Sequence, residues 1–247
     1  MKLTEALEII SKQNADIESK YLQKVEKSVL APPPDKAFES LALLRKKAVL
    51  EAKNEIHAVN ASIDKGAIYI LEYLKKHSPD QFEQLTAWFM QNTDIMINSF
   101  ASEATSDEEE SLAHKINFPP ELLNLMYTTA CKLFDLKDYD KAAAAITVCI
   151  AFEPLIYDLW FAYGSFLQAK HDDVGALYAF QMAQILDDEN PSVYAYMAIS
   201  WLALSKPDEA RQSIRTALDH CKDKEGYEDF KDYCYGLHAY CDKQKCA

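Results

Sequence analysis

The sequence has little glycine and no long apolar run, and both absences narrow its structural class. Only 5 of its 247 residues are glycine, whereas 49% of the residues are hydrophobic. Glycine-poor, alanine-rich stretches favour helix over strand, and few segments alternate apolar and polar residues as a half-buried strand does. No stretch approaches the ~20 consecutive apolar residues of a membrane-spanning helix. The sequence therefore predicts an all-α protein without stable membrane insertion.

The charge pattern argues against binding to nucleic acid. The formal net charge is −13, and neither half of the chain carries a basic stripe. Because binding to nucleic-acid phosphates depends on clustered lysine and arginine, we expect no nucleic-acid partner. The N-terminal stretch MKLTEALEIISKQNADIESKY has an amphipathic pattern with acids from Glu5 onward, not the apolar core of a secretory signal. We therefore expect a cytoplasmic protein.

The residues that usually carry catalysis or bind metal are scattered. No glycine-rich phosphate loop, HExxH or GxSxG motif is present. His171-Asp172-Asp173 has metal-ligating residue types, but it lies where a polar turn between two helices is expected. Cys241 and Cys246 are close enough in sequence for a metal or redox pair, although frayed terminal thiols are the favoured interpretation. We expect no enzyme activity, no metal and no cofactor, and free thiols at all six cysteines: Cys131, Cys149, Cys221, Cys234, Cys241 and Cys246.

Periodicity and composition divide the chain into two helical regions and a linker. Apolar residues recur at helical spacing in four N-terminal segments: 3–30, 36–62, 67–77 and 80–100. A break is predicted at Gly66. The stretch ASEATSDEEESLAHK is acidic and poor in apolar residues, which predicts an exposed linker, and its run Glu108–Glu110 is interpreted as solvated. The predicted domains are an N-terminal helical region over 1–100, an acidic linker over 101–117 and a repeat domain over 118–247.

A 34-residue period runs through the C-terminal half of the chain. Large residues recur in register, as at Met126, Trp160 and Tyr194. Small residues let the two helices of a hairpin approach closely, while large ones fill the space between hairpins. The closing proline occurs once, as Pro154, and the other two repeats have Asp188 and Lys222. All nine small-residue positions hold alanine, glycine or cysteine: Ala130, Ala142, Cys149, Gly164, Ala176, Ala183, Ala198, Ala210 and Ala217.

This pattern resembles the tetratricopeptide repeat. It predicts an α-solenoid of three repeats, closed by the segment EDFKDYCYGLHAYC as a C-terminal capping helix. The resemblance implies that the first helices line a concave groove. Implied groove residues are Tyr127, Cys131, Phe134, Phe161, Ser165, Gln168, Tyr196 and Ile199.

The implied groove is aromatic and aliphatic with few charges, which suits an extended peptide with apolar anchors. For any single aromatic residue, a place in the ordinary core is the alternative. Tetratricopeptide co-chaperones that hold a C-terminal carboxylate use lysine, arginine and asparagine in the groove. Tyr127 and Cys131 stand at equivalent first-repeat positions here, and neither donates to a carboxylate as lysine does. We therefore exclude that mode of binding.

A narrower resemblance rests on three repeats, an N-terminal extension, one terminal helix, the acidic charge and the phrase ILDDENP. Together these features resemble the class II chaperones of type III secretion, the LcrH/SycD family, over roughly residues 119–240. Tyr127 and Phe134 fall on aromatic groove positions of that family, with Cys131 between them. The packing and turn pattern of that family also matches Gly164, Ala176, Phe180 and the turn from Asp187 to Pro191.

The resemblance implies a cytoplasmic virulence chaperone. It implies that the groove binds an extended segment of a hydrophobic translocator or effector protein and keeps that client soluble and secretion-competent. The extension of such proteins often takes part in dimer contacts, so a homodimer is one implied state. The N-terminal 115 residues depart from the short extension of the family and receive no residue assignments. The alternative is a tetratricopeptide scaffold or regulatory adaptor that joins protein partners.

Overall fold

The computed structural model describes residues 41–92, 94–95, 111–222 and 224–244. These residues form ten helices and no strand, which confirms the predicted all-α class. The chain divides into two compact units, Met1–Leu122 and Leu123–Ala247. The helix predicted over 3–30 and the acidic run at 108–110 lie outside the described residues, and the predicted domain limits stay a prediction.

The first unit contains a long helix that the sequence prediction divided in two. Helix α1 spans Leu41–His77, α2 spans Pro79–Gln91 and α3 spans Leu112–Lys115. The break predicted at Gly66 is therefore wrong, since α1 continues through it. A glycine in a helix interior costs about 1 kcal/mol relative to alanine, but unlike proline it keeps its N–H donor and does not force an end.

Helix α2 ends earlier than the predicted helix over 80–100. The Asn92 side chain donates a hydrogen bond to the carbonyl oxygen of Trp88 at 2.8 Å, and the Asn92 backbone N–H donates to the same oxygen at 3.1 Å. An asparagine side chain that competes for backbone groups in this way favours a helix end. Residues 94–95 are again helical, and 96–100 lie outside the described residues.

The second part of the predicted linker is structured. The Ser111 hydroxyl accepts a hydrogen bond from the backbone N–H of His114 at 3.2 Å and caps α3. Ala113 and Ile116 are buried, with exposed fractions of 5% and 1%. The prediction of an exposed connector is therefore wrong for residues 111–117. The buried apolar residues at helical spacing in this short stretch outweigh its polar composition.

The remaining helices form the repeats. The first repeat comprises α4 (Pro120–Asp135), which begins in the first unit, and α5 (Tyr139–Phe152). The second comprises α6 (Tyr157–Ala169) and α7 (Asp173–Leu186). The third comprises α8 (Pro191–Ala203) and α9 (Pro207–Cys221), followed by α10 (Glu228–Gln244). The order of three helix pairs and one last helix confirms the predicted repeats and capping helix, and each helix from α5 to α10 packs against the next.

The small residues of the repeat lie where the helices meet. All nine are buried, and eight of them have no exposed surface. Gly164 shows why size matters, because a Cβ there would lie 2.5 Å from the Phe180 ring. Side chains at these positions therefore set how closely the paired helices approach.

The turns within the repeats share one conformation. Lys137, His171 and Ser205 lie 34 residues apart and have φ angles of 63°, 66° and 59°. In the second repeat, the backbone N–H of His171 donates to Gln168 and that of Asp172 donates to Leu167, both at 2.9 Å. These are the paired bonds of a left-handed helix C-terminus. The interpretation of His171-Asp172-Asp173 as a polar turn is confirmed.

The turns between repeats are closed by a side chain from the next helix. The Trp160 indole N–H donates to the Pro154 carbonyl at 2.7 Å, and the Tyr194 hydroxyl donates to the Asp188 carbonyl at 2.8 Å. Trp160 and Tyr194 occupy the same repeat position, and so do Pro154 and Asp188. The hydrogen bond therefore fixes the second turn where the usual proline is missing.

Candidate peptide-binding groove

The eight residues predicted for the groove all lie on the first helices of the repeats: α4, α6 and α8. Stacked hairpins of this kind present their first helices along an inner binding surface. All eight side chains are half-buried, neither enclosed in the core nor fully exposed. A surface of that kind keeps apolar area available to a ligand while its neighbours hold it in place.

The first-repeat end of the groove pairs a phenol with a thiol. Tyr127 and Cys131 stand one helical turn apart on α4. Burial is the main cause that raises the pKa of Tyr127 to about 12, and nearby Cys131 adds to the shift. Burial also raises the pKa of Cys131. Both groups are therefore neutral at physiological pH and suit an apolar client better than a charged one.

Phe134 was predicted as a groove residue, but most of its ring packs against other repeat residues. Its ring stacks on the buried ring of Phe166 with centroids 4.7 Å apart, and it also contacts Tyr139 at 5.3 Å. The contact with Phe166 joins the first repeat to the second, whereas the contact with Tyr139 lies within the first repeat. Much of the Phe134 ring thus holds the repeats together, which leaves only its outer part for a client.

An aromatic cluster spans the second and third repeats. Phe161 on α6 meets Tyr196 on α8 with ring centroids 4.9 Å apart. Phe180 on α7 lies beneath both, with centroids 5.7 Å from Phe161 and 5.8 Å from Tyr196, and it has no exposed surface. The buried ring is a fixed floor, so the upper two rings present a defined apolar surface.

Tyr157 belongs to this cluster and was missed by the sequence prediction. Its ring stacks on Phe161 with centroids 5.6 Å apart. Its hydroxyl is buried and has no hydrogen-bond partner among the described residues. Burial raises the pKa of Tyr157, and the nearby carboxylates Asp187 and Asp158 raise it further. Tyr157 is the first residue of α6, so an aromatic residue at the helix start was the available sequence signal.

The polar residues of the groove serve its framework. The Ser165 hydroxyl donates to the Phe161 carbonyl at 2.9 Å within α6. The Gln168 amide donates to the Tyr196 carbonyl at 3.0 Å and to the Ser200 hydroxyl at 2.8 Å, which ties α6 to α8. Ile199 stands three residues after Tyr196 and adds half-buried aliphatic surface. The interaction that these residues offer to a ligand is apolar contact.

Among the described residues, no group of three or more histidine, cysteine, aspartate or glutamate side chains is placed to hold a metal ion. Within those same residues, no helix is both long and apolar enough to cross a membrane.

Comparison with solved structures places the fold. The chain matches a type III secretion complex from Aeromonas hydrophila with a TM-score of 0.55, at 16% identity over 59% of this chain and 97% of the other. It matches the type III secretion translocator chaperone SycD of Yersinia enterocolitica with a TM-score of 0.51, at 14% identity over 54% and 99%. It matches the CopN–Scc3 complex with a TM-score of 0.51, at 19% identity over 70% and 98%. This chain has the fold of the type III secretion chaperones.

At these identities the likeness to the type III secretion chaperones is a likeness of fold. No protein-family model matches the sequence, and a search of curated proteins finds no relative. The matches cover nearly all of each solved chain but only part of this one. The chain therefore carries a region without a counterpart in these chaperone structures.

Proposed function

We propose that this protein is a cytoplasmic chaperone that binds an extended segment of a hydrophobic type III secretion translocator or effector protein. The observation that carries the proposal is the aromatic cluster of Tyr157, Phe161 and Tyr196, half-buried on the first helices of a chaperone-type fold. SycD, which has this fold, is a translocator chaperone. Apolar contacts with these rings would shield the client segment from aggregation, and the net charge of −13 would keep the complex soluble.

The proposal includes no catalytic step. The groove holds its client by burial of apolar surface, and each large side chain that becomes fully buried contributes roughly 1.5–3 kcal/mol. The framework bonds of Gln168 hold the second and third repeats in register before the client arrives. Preorganisation of that kind lowers the ordering cost of binding.

A scaffold or adaptor is the second candidate, and one surface favours it. On the second helix of the middle repeat, Val174, Tyr178 and Ile185 have exposed fractions of 68%, 59% and 76%. An apolar surface of this extent on α7 suits a folded protein partner. It lies on a second helix of a repeat, whereas the groove lies on the first helices.

The two candidates are separated by matched variants. The test uses a translocator subunit that co-purifies with the full-length protein from its native cells, and it measures the affinity and soluble yield of that client. The variant Tyr127→Ala with Phe161→Ala removes two rings from the groove. The variant Tyr178→Ala removes a ring from α7, the second helix of the middle repeat. We expect the groove variant to weaken client binding at least tenfold and Tyr178→Ala to leave it unchanged.

The reverse result would favour the adaptor. Unchanged client affinity in the groove variant, with native helicity verified by circular dichroism, would overturn the groove assignment. Loss of folded partners in Tyr178→Ala, together with no effect on client solubility, would support a scaffold.

A further inference from the structure

A basic cleft lies at the junction of the last repeat and the capping helix, apart from the groove. It is a cavity of about 390 Å³ between α9 and α10. Its three cationic residues are Arg215 and Lys222 on the α9 side and Lys231 on α10, with Asp219 the one acid among the described lining residues. In a chain of net charge −13, this local excess of positive charge reverses the general balance. Leu218 and Tyr235 supply the apolar part of the wall.

The cleft is one end of the seam between α9 and α10, and the other end pairs an arginine with two carboxylates. At that other end, Arg211 contacts Asp208 at 2.7 Å and Asp242 at 3.3 Å. Arg215 stands one helical turn further along α9, on the same face. Within the described residues, none of the three cleft cations has a carboxylate within 4.0 Å. Among those residues, Arg211 is therefore paired with carboxylates, whereas the three cleft cations are not.

Stabilisation of the C-terminal end of α9 explains only some of the three cations in the cleft. The Lys231 ammonium donates to the carbonyl oxygens of Lys222 and Lys224, each at 3.3 Å, and so satisfies the C-terminal end of α9. Cations near that end also complement the helix dipole. Arg215 lies before the last turn of α9, where the dipole effect has fallen off, so the dipole does not explain it.

We propose that this cleft binds a carboxylate-bearing peptide segment of a partner protein. Carboxylates would give Arg215, Lys222 and the remaining N–H of Lys231 the partners that Asp208 and Asp242 give Arg211. The apolar wall of Leu218 and Tyr235 would accept the carbon chains between them. A compact anion such as phosphate would pair with the cations but leave the apolar wall of Leu218 and Tyr235 uncovered, so the cleft fits a peptide better.

The test measures binding of a fluorescein-labelled hexaglutamate peptide to the full-length protein. The variant Arg215→Gln with Lys222→Gln removes two exposed charges and leaves the Lys231 bonds in place. The control Lys132→Gln with Lys243→Gln has the same net charge and alters exposed residues outside the cleft. We expect the cleft variant to lose about tenfold in affinity, the control to match the unaltered protein, and binding to weaken as salt rises.

Three outcomes would overturn the proposal. The first is no hexaglutamate binding by the unaltered protein up to millimolar concentration. The second is an equal loss in the cleft variant and the control, which would mean that only overall charge matters. The third is full competition by an equal concentration of inorganic phosphate, which would mark a small-anion site. Helicity that stays the same in both variants, measured by circular dichroism, separates these results from unfolding.

Discussion

Gly164→Ala tests whether the close approach of α6 and α7 sets the shape of the groove. A Cβ at position 164 would lie 2.5, 2.6 and 2.9 Å from three atoms of the Phe180 ring. Contacts that short do not occur, so the ring or the helix must move. Phe180 has no exposed surface and contacts both Phe161 and Tyr196, which leaves it little room to move.

The expected change in the free energy of unfolding is the difference between two effects. Alanine is favoured over glycine in a helix interior by about 1 kcal/mol. Overpacking of a filled core costs about 1–3 kcal/mol, and three ring contacts place this site in the upper part of that range. We therefore expect Gly164→Ala to lower the free energy of unfolding by about 1–2 kcal/mol. The measurement is urea denaturation followed by circular dichroism.

Gly236 provides the matched control. It also lies inside a helix, α10, but nothing stands within 4 Å of the position its Cβ would take. Gly236→Ala should therefore raise the free energy of unfolding by up to about 1 kcal/mol. Phe180→Leu in the Gly164→Ala background should restore part of the lost stability, because the smaller side chain vacates the contact. A Gly164→Ala variant as stable as Gly236→Ala would refute the reasoning.

Four further predictions concern the turns, the bonds between α6 and α8, and the titration of Tyr127. Ser205→Gly should stabilise the protein by about 1 kcal/mol, since Ser205 has a φ of 59° that suits glycine; an unchanged urea midpoint would contradict this. Tyr194→Phe should cost about 1 kcal/mol through the lost bond to Asp188, measured by the same denaturation. Gln168→Leu removes two bonds between α6 and α8 and should cost about 1–2 kcal/mol, with a loss near zero as the contrary result. Burial raises the pKa of Tyr127 from 10.0 to about 12, so between these pH values the folded state keeps a proton that the unfolded state loses. The free energy of unfolding is therefore highest below pH 10 and declines as the pH approaches 12. Tyr127→Phe should flatten that decline in a pH series of unfolding midpoints.

The repeat architecture was predictable because it depends on local spacing. The small residues recur where helices meet, and all nine are buried as the 34-residue register requires. The position of Gly66 shows the opposite case. A glycine only weakens a helix, so whether the helix continues is decided by surroundings that periodicity does not reveal.

That the eight candidate groove residues lie half-buried on the first helices was predictable, but the contacts that divide their roles were not. Helical spacing places Phe134 on α4 and Phe161 on α6 toward the candidate groove. Phe134 nevertheless stacks on Phe166 between repeats, while Phe161 joins the aromatic cluster. The Gln168 bonds reach residues 28 and 32 positions further along the chain. A contact of that range depends on the stacking of two hairpins, so a pattern within one helix carries no sign of it.

The framework of the candidate groove gives its aromatic surface a fixed shape before any peptide binds. Phe180 is buried against Gly164, and Phe161 and Tyr196 rest on Phe180. The Gln168 bonds hold the two first helices at a constant separation. Side chains that are already ordered lose little conformational entropy on binding, so more of the apolar burial appears as affinity. On this argument, a change at Gly164 that moves the Phe180 ring should weaken client binding even though residue 164 is buried and touches no client.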